Sequence, residues 1–158
     1  MRDVIGSLWS ILIGVLLIGG VVTVGYKALQ TNKTSNALSD IAQLSADIES
    51  LYSGQGVYSS LSNTVAVSAG IVPSDMNIGG TITDQWSGAV TLGPNTIPSM
   101  FDITLGSVPA AACVTLATTV KGVAVVLPGN GQQGLPIDAG LAAAGCAPGG
   151  TVTFIFGQ

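Results

Sequence analysis

Residues Val4 to Tyr26 run 23 positions without a charged side chain, preceded only by Met1, Arg2 and Asp3. A helix of that length is roughly 35 Å long, enough to cross a hydrocarbon core of about 30 Å. The run passes without a turn signal into an amphipathic helical pattern. The expectation is therefore an apolar stalk carrying a globular head. Residues 1–27 form a hydrophobic helix of the transmembrane or filament-core kind, and 28–158 form the head. The head divides into an amphipathic helix at 28–53, a loop at 54–87 and a sheet-and-disulfide region at 88–158. A secretory signal peptide fits poorly, because its apolar core is shorter and ends at a cleavage site. Loop charge does not orient the run, since Arg2 lies on one side and Lys27 and Lys33 on the other.

Within the stalk, Gly6, Ser10 and Gly14 recur every four residues, a small-residue stripe of the kind that lets helices approach closely. Gly19, Gly20 and Gly25 lower helix propensity by about 1 kcal/mol each and mark an expected weak point. Further on, Leu38, Ile41, Leu44, Ile48 and Leu51 form one stripe of a 3.6-residue period. Asp40, Asp47 and Glu49 are placed on the outer face, and Gly54 and Gly56 end the helix. Val4 to Ser53 would then be one helix of about 75 Å. Loop-like sequence follows to about residue 87. Strands are expected at Ala89–Leu92, Met100–Leu105, Val123–Leu127 and Thr151–Phe156, with short helices at Ala110–Val120 and Ile137–Ala144. The architecture is α+β, a long helix packed on an antiparallel sheet of about four strands.

The sequence offers little to catalysis. No histidine is present, which removes the most common general base and metal ligand. Only four basic residues face eight acidic ones, which argues against a basic nucleic-acid surface. The acids are scattered, and solvated charge is the reading for all of them. An alternative in which Asp75, Asp84 and Asp102 help form a calcium site lacks EF-hand spacing. The glycine-rich stretch Gly129–Gly134 lacks the lysine of a phosphate loop and reads as a turn. Cys113 and Cys146 have no near neighbour of the CxxC kind, so a disulfide formed outside the cytoplasm is the simplest reading. No metal, cofactor or enzymatic activity is expected.

Four stretches carry a family resemblance. Ala37 to Tyr58 (ALSDIAQLSADIESLYSGQGVY) is similar to the end of the long helix in type IV pilins. Asp84 to Val90 (DQWSGAV) resembles an Asn-x-Trp-Gly-Gly element of that family. Phe101 to Cys113 resembles the strand leading into the cysteine-bearing helix, and Cys146 to Gly157 resembles the closing strand. Their order and spacing resemble the type IVb pilins, and among them the PilS-like subunits of thin conjugative and adhesive pili.

The resemblance implies a subunit that polymerises through its N-terminal helix into a surface filament, its partners being copies of itself. Inner-membrane lipid surrounds it before assembly, and the pilus then lies outside the cell. It also implies a prepilin peptidase that removes a basic leader and methylates the new N-terminus, together with an assembly machinery. Met1 is an acceptable first residue, so the chain is expected to be the mature form or one written without its leader. Two departures stand out. Ile5 occupies the position where most members have a glutamate that pairs with a neighbour's amine. Asp3 is expected to pair instead with the Met1 amine or with Arg2 of an adjacent subunit. The usual proline near position 22 is replaced by Val22, and the three glycines nearby take over local melting. Rival readings are a minor pilin or type II secretion pseudopilin, and a membrane-anchored binding module that never polymerises. PilS-like kinship leans towards conjugation. With aromatics at 5%, a continuous stacked aromatic path for electrons is not expected.

Overall fold

The computed structural model describes residues 28–157. The spanning run Val4–Tyr26 and the assignments at Met1, Arg2, Asp3, Ile5, Gly6, Ser10, Gly14, Gly19, Gly20 and Gly25 lie outside them. Among the described residues no helix is long and apolar enough to cross a membrane.

Helix α1 occupies residues 28–52. It buries Ala37, Ile41, Leu44, Ile48 and Tyr52, stepping by four, three, four and four. The centre of this stripe is the expected one, but its ends are rotated. Leu38 is half-buried and Leu51 is exposed, with Ala37 and Tyr52 in their places. At roughly 100° per residue, Leu38 and Leu51 sit on the flanks of the line through Ile41, Leu44 and Ile48. Asp40, placed by the pattern on the outer face, is only 8% exposed. It adjoins Ile41 at the edge of the stripe, and its polar partners are supplied from another part of the chain.

The main sheet has five strands in the order β3-β4-β7-β5-β6, every neighbouring pair antiparallel. They are β3 (Val90–Pro94), β4 (Met100–Val108), β5 (Ala124–Leu127), β6 (Gly131–Gly134) and β7 (Gly150–Gly157). Alternation puts one side chain in two on the core face. Phe101, Ile103 and Leu105 of β4 are buried opposite Phe156, Phe154 and Val152 of β7. On the reverse face of the same pair, which also carries the buried Ile155, the Thr104 and Thr153 hydroxyls bond at 2.9 Å. A bulge between Leu105 and Val108, with Ser107 at φ 57°, shifts the alternation by one residue so that Val108 rather than Ser107 is buried. Helix α3 (Ala110–Thr119) follows β4, and α4 (Ala139–Gly145) precedes β7.

One strand more than expected is present. The stretch read as a turn at Gly129–Gly134 includes β6, a sheet-edge strand paired only to β5. Its residues Gly131 to Gly134 carry no apolar alternation, because an edge strand with mostly exposed side chains has none to show. The stretch 54–87 is also more ordered than a loop. It holds α2 (Asn63–Ser68), capped by the Ser62 hydroxyl, and a two-stranded hairpin of β1 (Asn77–Ile78) and β2 (Thr81–Ile82). Gly79 and Gly80, at φ 60° and 86°, make the two-residue turn that a tight hairpin needs. These elements are too short for any periodicity.

Asn63 closes the free edge of β3. Its amide nitrogen donates to the Val90 carbonyl and its oxygen accepts from the Leu92 N–H, both at 2.7 Å. One side chain thereby takes the place of a missing strand partner. Aromatic residues, though few, gather in one row. Tyr52, Tyr58, Phe101 and Phe156 have successive ring centroids 5.3, 4.7 and 5.5 Å apart.

Leu44 is fully buried in the core shared by α1 and the sheet. Truncation to alanine leaves a cavity under the helix, and Leu44→Ala is expected to cost about 3 kcal/mol. Urea denaturation should show a lowered midpoint with an unchanged slope.

Candidate functional site

The C-terminal half of the head is held as one plate by a disulfide. Cys113 of α3 and Cys146, the C-cap of α4, are bonded with Cα atoms 5.8 Å apart. The bond spans 33 positions and encloses β5, β6 and α4. Loop closure of this size stabilises the fold by about 4 kcal/mol in the chain-entropy model. Local bonds tighten the enclosed segment. Asp138 caps α4 by accepting from the Gly140 N–H at 2.8 Å, and Asn130 donates to the Leu141 carbonyl at 3.0 Å. Gly145 lies so close to Leu127 that an added Cβ would stand 2.7 Å from its Cδ1.

Asp84 organises the turn that leads into β3. Its Oδ1 accepts from the backbone N–H of Trp86 at 2.9 Å and of Gly88 at 2.7 Å. The backbone closes the same loop, with the Asp84 N–H donating to the Gly88 carbonyl at 2.9 Å. Gly88 has no room for a side chain, because a Cβ there would overlap the Gly106 carbonyl on β4. Ser87 takes φ 64°, the left-handed region where the resembling family element has a glycine. The other carboxylate oxygen, Oδ2, is buried with no hydrogen-bond partner. Burial raises the Asp84 carboxyl above its ordinary value, against the two N–H bonds and the charge of Lys33, which lower it.

A second polar cluster fixes the segment after α2 to the long helix. The Gln85 amide donates to Asp40 at 2.8 Å and to Asp75 at 2.9 Å. Asp40 is raised by burial, held down by the Gln85 bond, and raised again by the negative charge of Asp75. These acids are structural tethers rather than the solvated charges expected of them. Nor do they form the calcium alternative. Asp102 takes the Asn95 amide at 2.7 Å, and among the described residues no three metal-ligating side chains converge.

On the opposite flank of α1 lies an open groove of about 390 Å³. Leu38, Ala42 and Ser45 of α1 form one wall, Val120 and Lys121 the other, and Phe156 lies at its floor. The wall residues follow α3, so the disulfide plate sets the groove's far side. Sequence reasoning missed the groove and the Asp40–Gln85 bond, which join residues dozens of positions apart, and also the Asp84 turn, which is local but carries no periodic pattern. Of the residues singled out from sequence, Cys113 and Cys146 are brought together, and the N-terminal group lies outside the described residues.

A long helix laid on an antiparallel sheet, with a disulfide-closed C-terminal region, places the chain in a class of solved folds. It matches the crystal structure of a type IVb pilin from Salmonella typhi with a TM-score of 0.65 at 20% identity. That alignment covers 78% of this chain and 99% of the other. It matches TcpA, a type IV pilin from Vibrio cholerae El Tor biotype, with a TM-score of 0.57 at 18% identity over 78% and 98% of the two chains. The fold is thus the type IV pilin fold. The family model described as PilS N terminal matches residues 31–157, and the chain belongs to the PilS family. It is also 32% identical over 113 residues to the major structural subunit of the bundle-forming pilus of Escherichia coli O127:H6 (strain E2348/69 / EPEC). The Escherichia coli O111:H- subunit of the same name gives the same figures. The match covers 66% of this chain and 58% of each relative's length.

Two predictions follow from the polar turns. Ser87→Gly removes the cost of a left-handed serine and should stabilise the head by about 1 kcal/mol, seen as a higher thermal midpoint. Asp40 binds its proton more tightly when folded, so its contribution is complete below its ordinary value of 3.8 and is lost as pH rises through the raised value. Asp40→Asn, neutral at every pH, should therefore gain most over the parent near neutrality. Thermal melts of both chains as a function of pH should show that gain vanish towards and below pH 3.8.

Proposed function

We propose that this chain is the major structural subunit of a type IVb pilus, polymerising into a thin surface filament. The observation that carries the reading is its similarity to the major structural subunits of the bundle-forming pilus within a shared fold. The role is structural rather than catalytic, and the machinery of the described residues is machinery for rigidity: a disulfide, a stitched sheet edge and two carboxylate tethers.

The assembly logic rests on the apolar run Val4–Tyr26. Residues 1–27 are lipid-solvated in the inner membrane, and in a filament they pack on copies of themselves beneath heads made of 28–158. Gly6, Ser10 and Gly14 form the close-packing stripe, and Gly19, Gly20 and Gly25 the point of melting. With Ile5 in place of an acid, Asp3 pairs with the Met1 amine or with Arg2 of a neighbour, because a buried charge needs a partner. A prepilin peptidase and an assembly machinery act before polymerisation, and the finished fibre is extracellular. The fibre serves conjugation or adhesion, with PilS kinship favouring conjugation. A scarce minor pilin or a secretion pseudopilin is the weaker reading, since the relatives are named as major subunits.

The test is electron microscopy of fibres sheared from producing cells, with intact-mass analysis of their main band. Thin fibres composed chiefly of this chain are expected. A chain confined to the membrane fraction, with no fibres, would falsify the reading. Asp3→Ala should assemble poorly, and fibres in parental amounts would remove the charge-pair part.

A further inference from the structure

We infer that Asn130–Gly131 is a site of slow covalent self-modification, in which the Gly131 backbone nitrogen displaces the Asn130 side-chain amide and leaves an acid at one corner of the disulfide-closed plate. The inference does not depend on the pilus reading.

The chemistry needs an asparagine whose next residue leaves room for a ring. The backbone nitrogen of that residue attacks the asparagine Cγ. A C–N bond forms, the Cγ–Nδ2 bond breaks, and ammonia leaves with the proton that the backbone nitrogen gives up. The cyclic imide then adds water at either carbonyl. One opening gives aspartate and the other isoaspartate, so that an amide and water become an acid and ammonia. A Cβ on the following residue crowds the ring, which makes glycine the most permissive neighbour. Asn32, Asn36, Asn63, Asn77 and Asn95 are followed by Lys33, Ala37, Thr64, Ile78 and Thr96, and Asn130 alone is followed by glycine.

The structure singles out the same residue. Residues 128–131 are all exposed, in the connection from β5 to β6. Gly131, at φ 66°, begins β6 at the end of its ladder with β5, where local opening costs least and frees the attacking nitrogen. Other asparagine side chains are held at both amide atoms. Asn63 spans the Val90 carbonyl and the Leu92 N–H, and Asn95 donates to Asp102 while accepting from the Ile97 N–H. The Asn130 amide makes one bond among the described residues, from its nitrogen to the Leu141 carbonyl at 3.0 Å.

That bond gives the reaction its consequence. A carboxylate only accepts, so the product sets two acceptors against each other where a donor joined the turn to α4. The contact is close, since a Cβ on Gly145 would stand 3.2 Å from the Asn130 nitrogen. The isoaspartyl product also lengthens the main chain by one carbon just ahead of Gly131, the partner of Leu127, and β6 has only β5 to hold it in register. Each event adds one negative charge to a chain of formal charge −4. The modified fraction therefore records the time since synthesis as charge and as looser packing around α4.

The test incubates the purified full chain in detergent in mildly alkaline buffer for days to weeks. Intact mass and fragment mapping follow conversion of amide to acid, and thermal melts follow the head. Conversion confined to Asn130 is expected, faster as pH rises, and absent at that position in Asn130→Gln. The aged parent and fresh Asn130→Asp should both melt about 3 °C below the fresh parent. No conversion at Asn130, or conversion spread equally over the other asparagines, overturns the site. Melting of Asn130→Asp at the parental temperature overturns the loosening of α4.

Discussion

Everything else in the head is arranged around the burial of one helical stripe. Ile41, Leu44 and Ile48 share a core with Phe101, Ile103, Leu105 and Phe154 of the two central antiparallel strands. An amphipathic helix of this kind has little stability alone, and the sheet face is equally unsuited to water. Each is the other's cover. The position of α1 then determines its two flanks, one tied by Gln85 and the other left open as a groove.

Connecting segments in this head are made rigid by side chains acting as backbone. Asn63 stands in for a strand against β3, Asp84 for the acceptor in a tight turn, and Gln85 for a bridge between two carboxylates. Asp84 is buried and Asn63 and Gln85 are half-buried, and each has its polar atoms engaged by well-directed bonds. The exception is Asp84 Oδ2, buried without a partner beside Gly88. A protonated carboxyl tolerates that position better than a carboxylate, consistent with its upward shift.

What the sequence revealed follows the length scale of each signal. The α1 stripe, the strands β3, β4, β5 and β7 and the two later helices carry periodic or capped patterns over several residues, and all lie near their expected places. The cysteine pair was legible because only one pairing of two is possible. The hairpin, α2 and β6 were not: the hairpin strands are two residues each, α2 buries only Ala66, and β6 is Gly-Gln-Gln-Gly with no apolar side chain to mark a face. Asp40 was misplaced for a different reason. Helical phase sorts a residue by angle, but cannot know that Gln85, 45 positions away, arrives to satisfy it. The groove is invisible to sequence on the same ground, being made by α1 and a connection some eighty residues downstream.

The strand order has a consequence for when the head becomes a head. β4 and β5 never pair with each other, and each is joined to the sheet's other half only through β7. Until the stretch Gly150–Gly157 is in place, the polypeptide has two separate ribbons, each with an open edge facing the slot that β7 will fill. Cys146 lies just ahead of that strand, so covalent closure and sheet completion come within a few residues of one another. Maturation is thus deferred to the end of the chain's order of elements. Without those residues the head is two ribbons around an empty central slot, an unfilled sheet rather than a finished surface.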